Sequence, residues 1–409
     1  MTRYRQQLMA IFQQALAAVQ GEHCTREQLQ RSGLPGPVAV IAIGKAAASM
    51  THGALQVLGE QVSQALVLTK AGHCADFSAY AAEVSCLESG HPWPDERSLR
   101  AGQALLTFID AQPRSHSLLF LISGGSSSLV EVLPEGVGLN ELRAINDWLL
   151  ASGWDIHAMN RVRKALSTIK GGRLAEKLAG RRTLCLLISD VPSDALHVIG
   201  SGLLTPDPDN SAELPELPHW MEKALGHAPP APAADAACFA NISTQLIASV
   251  DDAKQAAATS AAALGYAVRI HETPLSGDAA TMGEALVKVL QDSAPGLHIW
   301  GGETTVCLPP QPGQGGRNQQ LALAAARAMA GQDDLFLLAA GTDGSDGPTT
   351  AAGALVDGAS IARGEAQGLD SQLALEMADA GRFLGASQDL IHTGPTGTNV
   401  MDLVLGLRV

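Results

Sequence analysis

Five short segments of this 409-residue sequence carry residue types that handle phosphate or carboxylate groups. Gly44-Lys45 offers a lysine directly after an apolar run, suited to neutralising developing phosphoryl charge. Ser123-Gly124-Gly125-Ser126-Ser127-Ser128 offers hydroxyl donors and two glycines, whose backbone can turn with φ > 0 and aim N–H groups at one anion. Asp190 ends another apolar run and suits a base or a metal ligand. Gly313-Gln314-Gly315-Gly316-Arg317-Asn318 presents an arginine, the bidentate partner of phosphate or carboxylate. Glu303 could hold a metal or orient that loop. Residues 341–348 (G-T-D-G-S-D-G-P) set Asp343 and Asp346 three apart, hard oxygen donors of the kind Mg²⁺ takes.

Each segment also has an ordinary structural reading. Residues 123–128 read as a polar β–α turn, Lys45 as a solvated side chain, and residues 313–318 as a helix start. Asp190 reads as a helix cap and the Asp-Gly pairs as turn chemistry. Their joint position after five apparent strands favours a ligand site, because open α/β sheets bind ligands at strand carboxyl ends.

Several familiar sites are excluded. A P-loop needs glycine five residues before the glycine of Gly-Lys and then Ser or Thr, whereas Ala39 and Ala46 stand there. No strand end supplies the G-x-G-x-x-G of a dinucleotide site. The twelve histidines form no H-x-x-x-H pair, and the D-x-x-D spacing lacks the other ligands of a calcium loop. A net charge of −14 disfavours a polyanionic partner such as DNA but leaves room for a nucleotide in a local basic pocket.

The elements that must position these loops are apolar runs alternating with helical stretches. Runs at Val38–Ile43, 65–69, 118–122 and 183–189 predict strands, with helices over 139–151 and 159–178. A Pro/Ala-rich stretch, 214–237, predicts a linker. Beyond it, strands are expected at 245–250, Val268–Ile270, 298–302 and 335–340, with helices near 252–264 and 319–329. The alternation predicts βαβ units and a mostly parallel sheet, in two domains spanning 1–237 and 238–409. Leu8, Ile11, Phe12, Ala15, Leu16 and Val19 fall at helical spacing, so the start of the chain predicts an amphipathic helix rather than a secretory signal. No run approaches membrane-spanning length. The 42 glycines exceed the about 29 of an average composition and sit in clusters, which points to special loops. The six cysteines contain no C-x-x-C pair and predict reduced cytosolic thiols, mostly filling the core.

Ten motifs in register resemble the type II glycerate kinases. They are Gly44-Lys45-Ala46, Ser123-Gly124-Gly125-Ser126-Ser127, Asn160-Arg161-Val162-Arg163-Lys164, Lys170-Gly171-Gly172-Arg173-Leu174-Ala175 and Ser189-Asp190-Val191, followed by Gly302-Glu303-Thr304-Thr305-Val306, Gly315-Gly316-Arg317-Asn318, Gly341-Thr342-Asp343-Gly344, Ala351-Ala352-Gly353-Ala354 and residues 393–400 (T-G-P-T-G-T-N-V). The resemblance spans nearly the whole chain. It implies a Rossmann-like, mostly parallel N-terminal domain, a smaller α/β domain of the MOFRL type, and an active site in the cleft between them. It further implies ATP and Mg²⁺ as cofactors and transfer of a phosphoryl group to the 2-hydroxyl of glycerate. Carried over residue by residue, Lys45 and Arg317 match the cations facing the transferring group, and Asp190 matches the acidic strand-end position. Residues 123–127 would cradle substrate, with Asn318 alongside, while Asp343, Asp346 and Glu303 are the metal candidates. Two departures stand out. Leu203-Leu204 replace the family's more usual Pro-Thr, and Thr349-Thr350 stand where Thr-Asp is common, which removes a metal candidate at 350.

The expected partners are therefore a small hydroxy acid and a nucleotide in the cytoplasm, with neither nucleic acid nor membrane, and a homodimer as the candidate assembly. The rival readings are an NAD(P)H-dependent hydroxypyruvate reductase and a non-catalytic sugar-acid binding protein.

Overall fold

Val38–Ile43 contains no polar residue and forms strand β1, buried along its whole length. It anchors a six-stranded sheet with β2 (Val62–Lys70), β3 (Glu83–Ser89), β4 (Ser117–Ile122), β5 (Thr183–Ile188) and β6 (Ile242–Ala248). This computed structural model describes residues 2–208, 214 and 216–409. The strand order is β3-β2-β1-β4-β5-β6, and the β3–β2, β2–β1, β1–β4 and β4–β5 pairings are all parallel. β1, β4 and β5 are buried throughout, as expected of strands covered on both faces by crossover helices. This is the strand order of doubly wound nucleotide-binding sheets, whose order reverses between β1 and β4. β3 is the edge strand, and its alternating polar sequence gave no apolar run to read.

A second sheet contains β7 (Val268–Ile270), β8 (Gly296–Gly302), β9 (Leu335–Gly341), β10 (Gly353–Asp357), β11 (Leu390–Ile391) and β12 (Asp402–Arg408), in the order β11-β10-β9-β12-β8-β7. Only the β7–β8 pairing is parallel; the other four are antiparallel. This second α/β unit has a mixed sheet because β12 inserts between β8 and β9 and runs against both. The helix Arg317–Ala328, buried at nine consecutive positions, packs on this sheet together with Ala279–Gln291.

The compact units are Gly21–Ile247 and Met1–Gln20 with Ala248–Val409, so the boundary differs from the expected 237/238. The first helix, Arg3–Ala18, belongs with the C-terminal unit. Its Arg5 is buried against Asp357 and Asp389 at 2.6 and 2.9 Å, and Gln7 accepts from the Tyr266 hydroxyl at 2.6 Å. The expected linker is likewise corrected. Residues 219–225 form a helix whose Met221 is fully buried against Leu142, Leu149 and Val162. Pro215 of that stretch lies outside the described residues. The cysteine expectation also changes, since Cys74 and Cys86 form a disulfide with Cα atoms 6.2 Å apart. Cys24 and Cys185 are buried thiols outside the disulfide, and Cys307 is exposed. No helix among the described residues is long and apolar enough to cross a membrane.

Candidate active site

In the unit Gly21–Ile247, the loops after β1 and β4 meet at the point where strand order reverses. The Lys45 N–H donates to Gly124 O at 2.9 Å, and the Ser123 N–H donates to Ile43 O at 2.9 Å. Thr69, at the end of β2, donates its hydroxyl to Gly44 O at 2.9 Å. Gly44 has φ +130, and a Cβ there would lie 2.2 Å from the Ser123 hydroxyl, so only glycine lets these loops touch. Lys45 is thus rooted at the switch point by its own backbone, at the start of the helix Ala47–Leu58.

The serines of this loop are buried or half-buried, and they differ in their partners. Ser123 is fully buried and its Oγ accepts from the Ala46 N–H at 3.0 Å. Ser126 is also buried, and its Oγ has no hydrogen-bond partner among the described residues. Ser127, half-buried, shares a 2.7 Å hydrogen bond with the Ser201 hydroxyl. Gly124 and Gly125 supply the turn, with Gly125 at φ +83. Asp190 follows β5, which neighbours β4, and is half-buried at the same carboxyl end of the parallel sheet.

Three cations of the motifs at 160–175 are matched inside the protein. Lys164 pairs with Asp207 at 2.7 Å, and Lys170 pairs with Glu131, which also accepts from Ser167. Arg173 donates to the carbonyls of Lys164, Lys170 and Pro229. These side chains hold the helices behind the switch point. Nothing local to Glu131 marks it as their partner.

In the other unit the centre is Arg317. Its Nε donates to Asp402 Oδ2 at 2.5 Å and its Nη2 to Asp402 Oδ1 at 3.0 Å, with Glu303 Oε1 at 2.6 Å from the same Nη2. Burial pulls the guanidinium pKa down, but Asp402, Glu303 and Asp346 more than reverse this and raise it. Asp402 opens β12 opposite Gly302 on one side and Gly341 on the other. Just before it, Met401 O accepts from both the N–H and the hydroxyl of Thr342. Asp402 was not a sequence candidate; its one signal was an aspartate two residues past the 393–400 motif.

Asp346 reaches the N-terminus of the helix Arg317–Ala328. It accepts from the N–H groups of Asn318 and Gln319 at 3.1 and 2.8 Å, and from Asn318 Nδ2 at 3.3 Å. A Cβ on Gly316 would lie 2.3 Å from this carboxylate. Burial raises the Asp346 pKa to about 6, with Asp402 adding to the shift and the two N–H donors opposing it. Asn318, 2% exposed, is held in this cap. Asp343 accepts from the Ser345 N–H and hydroxyl at 2.9 and 3.0 Å, in a turn at the end of β9. Among the described residues, no group of three His, Cys, Asp or Glu side chains is arranged to hold a metal.

A doubly wound sheet with a lysine rooted at its switch point, and a mixed sheet with an arginine held between two carboxylates, define a two-unit α/β protein equipped for anionic substrates. Residues 7–224 match a family described as a domain of unknown function, DUF4147, and residues 296–402 match the MOFRL family. The chain is 36% identical to the D-glycerate 2-kinase of Thermotoga maritima, over 98% of this chain and 97% of that one. It is 34% identical to the glycerate 2-kinase of Pyrococcus horikoshii, over 91% and 88%, and 34% identical to a putative hydroxypyruvate reductase of Agrobacterium vitis, over 98% and 93%. Among solved structures, a glycerate kinase from Thermotoga maritima superposes with a TM-score of 0.85 at 35% identity, covering 99% of both chains. The chain belongs to the type II glycerate kinase family, whose members carry a MOFRL domain.

Proposed function

We propose that this protein transfers the γ-phosphoryl group of Mg-ATP to the 2-hydroxyl of glycerate, releasing 2-phosphoglycerate and ADP. The observation that carries this reading is the end-to-end likeness to D-glycerate 2-kinase. The geometry supports the phosphoryl part. Transition states of phosphoryl transfer are loose and spread negative charge over the equatorial oxygens, so fixed cations and alignment supply most of the catalysis. Lys45 and Arg317 are the proposed cations. In the reaction the C2 oxygen forms a bond to the γ-phosphorus, the bond to the β–γ bridging oxygen breaks, and the hydroxyl proton leaves. Asp190 is proposed to orient or accept that proton. Asp343 is the proposed carboxylate contact for the Mg²⁺ that enters with ATP, and the backbone at 124–127 the contact for an anionic group. The reaction is proposed to run in the cytoplasm.

Relatives named hydroxypyruvate reductase favour a second reading, hydride transfer from NAD(P)H to hydroxypyruvate. One preparation tests both. Enolase-coupled detection should show 2-phosphoglycerate forming only with ATP and glycerate together, and NADH absorbance should stay constant with hydroxypyruvate. Steady NADH consumption without ATP-dependent product would sink the kinase reading.

A further inference from the structure

Arg163 is a half-buried cation whose two hydrogen-bond partners are both neutral. Its Nε donates to Asn146 Oδ1 at 2.9 Å and its Nη1 to Asn160 Oδ1 at 3.3 Å. Asn146 is itself fixed, because its Nδ2 donates to Leu142 O at 3.0 Å, which turns the amide oxygen towards the guanidinium. Among the described residues no carboxylate pairs with Arg163, and its Nη2 has no protein partner. Burial lowers its pKa, and no neighbouring charge offsets this. The adjacent cations differ sharply: Lys164 and Lys170 each have a buried carboxylate. A desolvated guanidinium without a counter-ion is disfavoured unless something else supplies the negative charge.

Asn146, the hydrogen-bond partner of Arg163, lines a cavity of about 440 Å³ whose other walls include His91, Asp95, Arg97, Arg143 and Asp147; Arg163 itself is not among them and meets the cavity through Asn146. Arg97 is already paired with Asp95 at 2.8 Å. The cavity adjoins the switch point. The His91 ring lies 3.0 Å from where a Cβ on Gly125 would sit, and Lys45 Cγ lies 3.4 Å from the same place.

We propose that Arg163 seats an oxyanion of a substrate at this cavity, with Asn146 and Asn160 fixing the guanidinium plane so that Nη2 faces the ligand. The inference rests on the kinase reading, in which two substrates offer this chemistry: the carboxylate of the hydroxy acid and a phosphate of the nucleotide.

Arg163→Gln and Arg163→Lys test it through steady-state kinetics and ligand-induced melting shifts with glycerate alone, ATP alone and inorganic phosphate. Arg163→Gln is expected to raise one KM by about 10- to 100-fold, as for loss of one charge-assisted hydrogen bond. It should leave the ligand-free melting temperature equal to or above that of the unmodified protein. Arg163→Lys, which keeps charge but not the planar fork, should fall between the two. Loss of the glycerate shift assigns the seat to the carboxylate, and loss of the ATP and phosphate shifts assigns it to a phosphate. An Arg163→Gln protein that melts earlier yet keeps both KM values makes Arg163 a scaffold residue and overturns the proposal. If the unmodified protein makes no 2-phosphoglycerate, the kinase reading fails instead, and the melting shifts still judge Arg163.

Discussion

Arg317 and Asp402 form a two-point clamp, in which Nε and Nη2 of one meet both carboxylate oxygens of the other at 2.5 and 3.0 Å. This fixes the plane of the guanidinium as well as its position. Asp402→Asn removes one charge and one acceptor. It is expected to lower kcat about 10²-fold while moving either KM far less, with Asp402→Glu recovering part of the loss. An unchanged kcat in Asp402→Asn would show that the clamp does not position Arg317 for the reaction.

Lys45 and Ser123 sit on touching loops yet should behave oppositely. Lys45→Ala is expected to reduce kcat by about 10²–10³. Ser123→Ala instead leaves the buried Ala46 N–H without its acceptor, so the expected effect is a stability loss of about 1–3 kcal/mol, read by urea denaturation. If Ser123→Ala melts normally but shows a strongly raised KM, the hydroxyl contacts substrate and the brace assignment is wrong.

The two aspartates of the 341–348 loop are separable by their demand for Mg²⁺. Asp343→Ala should raise the Mg²⁺ concentration needed for half-maximal activity. Asp346→Ala should leave that concentration unchanged while lowering the melting temperature, because it uncaps the helix Arg317–Ala328. A raised Mg²⁺ requirement in Asp346→Ala, at unchanged stability, would restore the metal role suggested by sequence.

His298 gives a pH dependence with a definite sign. It is buried in β8, stacked with His271 and Trp300, and hydrogen-bonded to His271 at 3.0 Å. Burial first, then His271 and Arg269, push its pKa down to about 4, and Lys254 lies against the paired His271. The unfolded chain binds a proton near pH 6.5 that the folded chain refuses until about pH 4. Stability from this group is therefore intact above about 6.5, falls as pH drops through that window and levels below about 4, by at most ~1.4 kcal/mol per pH unit. Urea midpoints at pH 7 and 4.5 should converge more closely for His298→Leu than for the unmodified protein. An identical acid slope in both would discard the effect.

β1, β4 and β5 were legible because parallel strands covered on both faces are buried along their whole length and almost wholly apolar, and the polar loops after them stand out against those runs. Pairing partners far apart in sequence were not. Nothing local marks Asp402 as the partner of Arg317, or Arg5 as the partner of Asp357 and Asp389. Residue type also does not separate a hydroxyl that braces a loop, as in Ser123, from one that meets a ligand. Nor does it separate a carboxylate that caps a helix, as Asp346 does, from a metal ligand. Cys74 and Cys86 lacked a motif because their approach follows from the path of the chain between β2 and β3, not from a fixed spacing.

The placement of β12 between β8 and β9, together with the first helix on the same unit, bears on how the chain emerges from the ribosome. Residues 21–247 contain every strand of their own sheet and can collapse as soon as they leave the exit tunnel. The other unit must wait for its last seven residues of strand, with the helix Arg3–Ala18 already made and its apolar stripe uncovered throughout synthesis. That waiting helix, and the open edges of β8 and β9, are the surfaces a nascent-chain holdase would meet first.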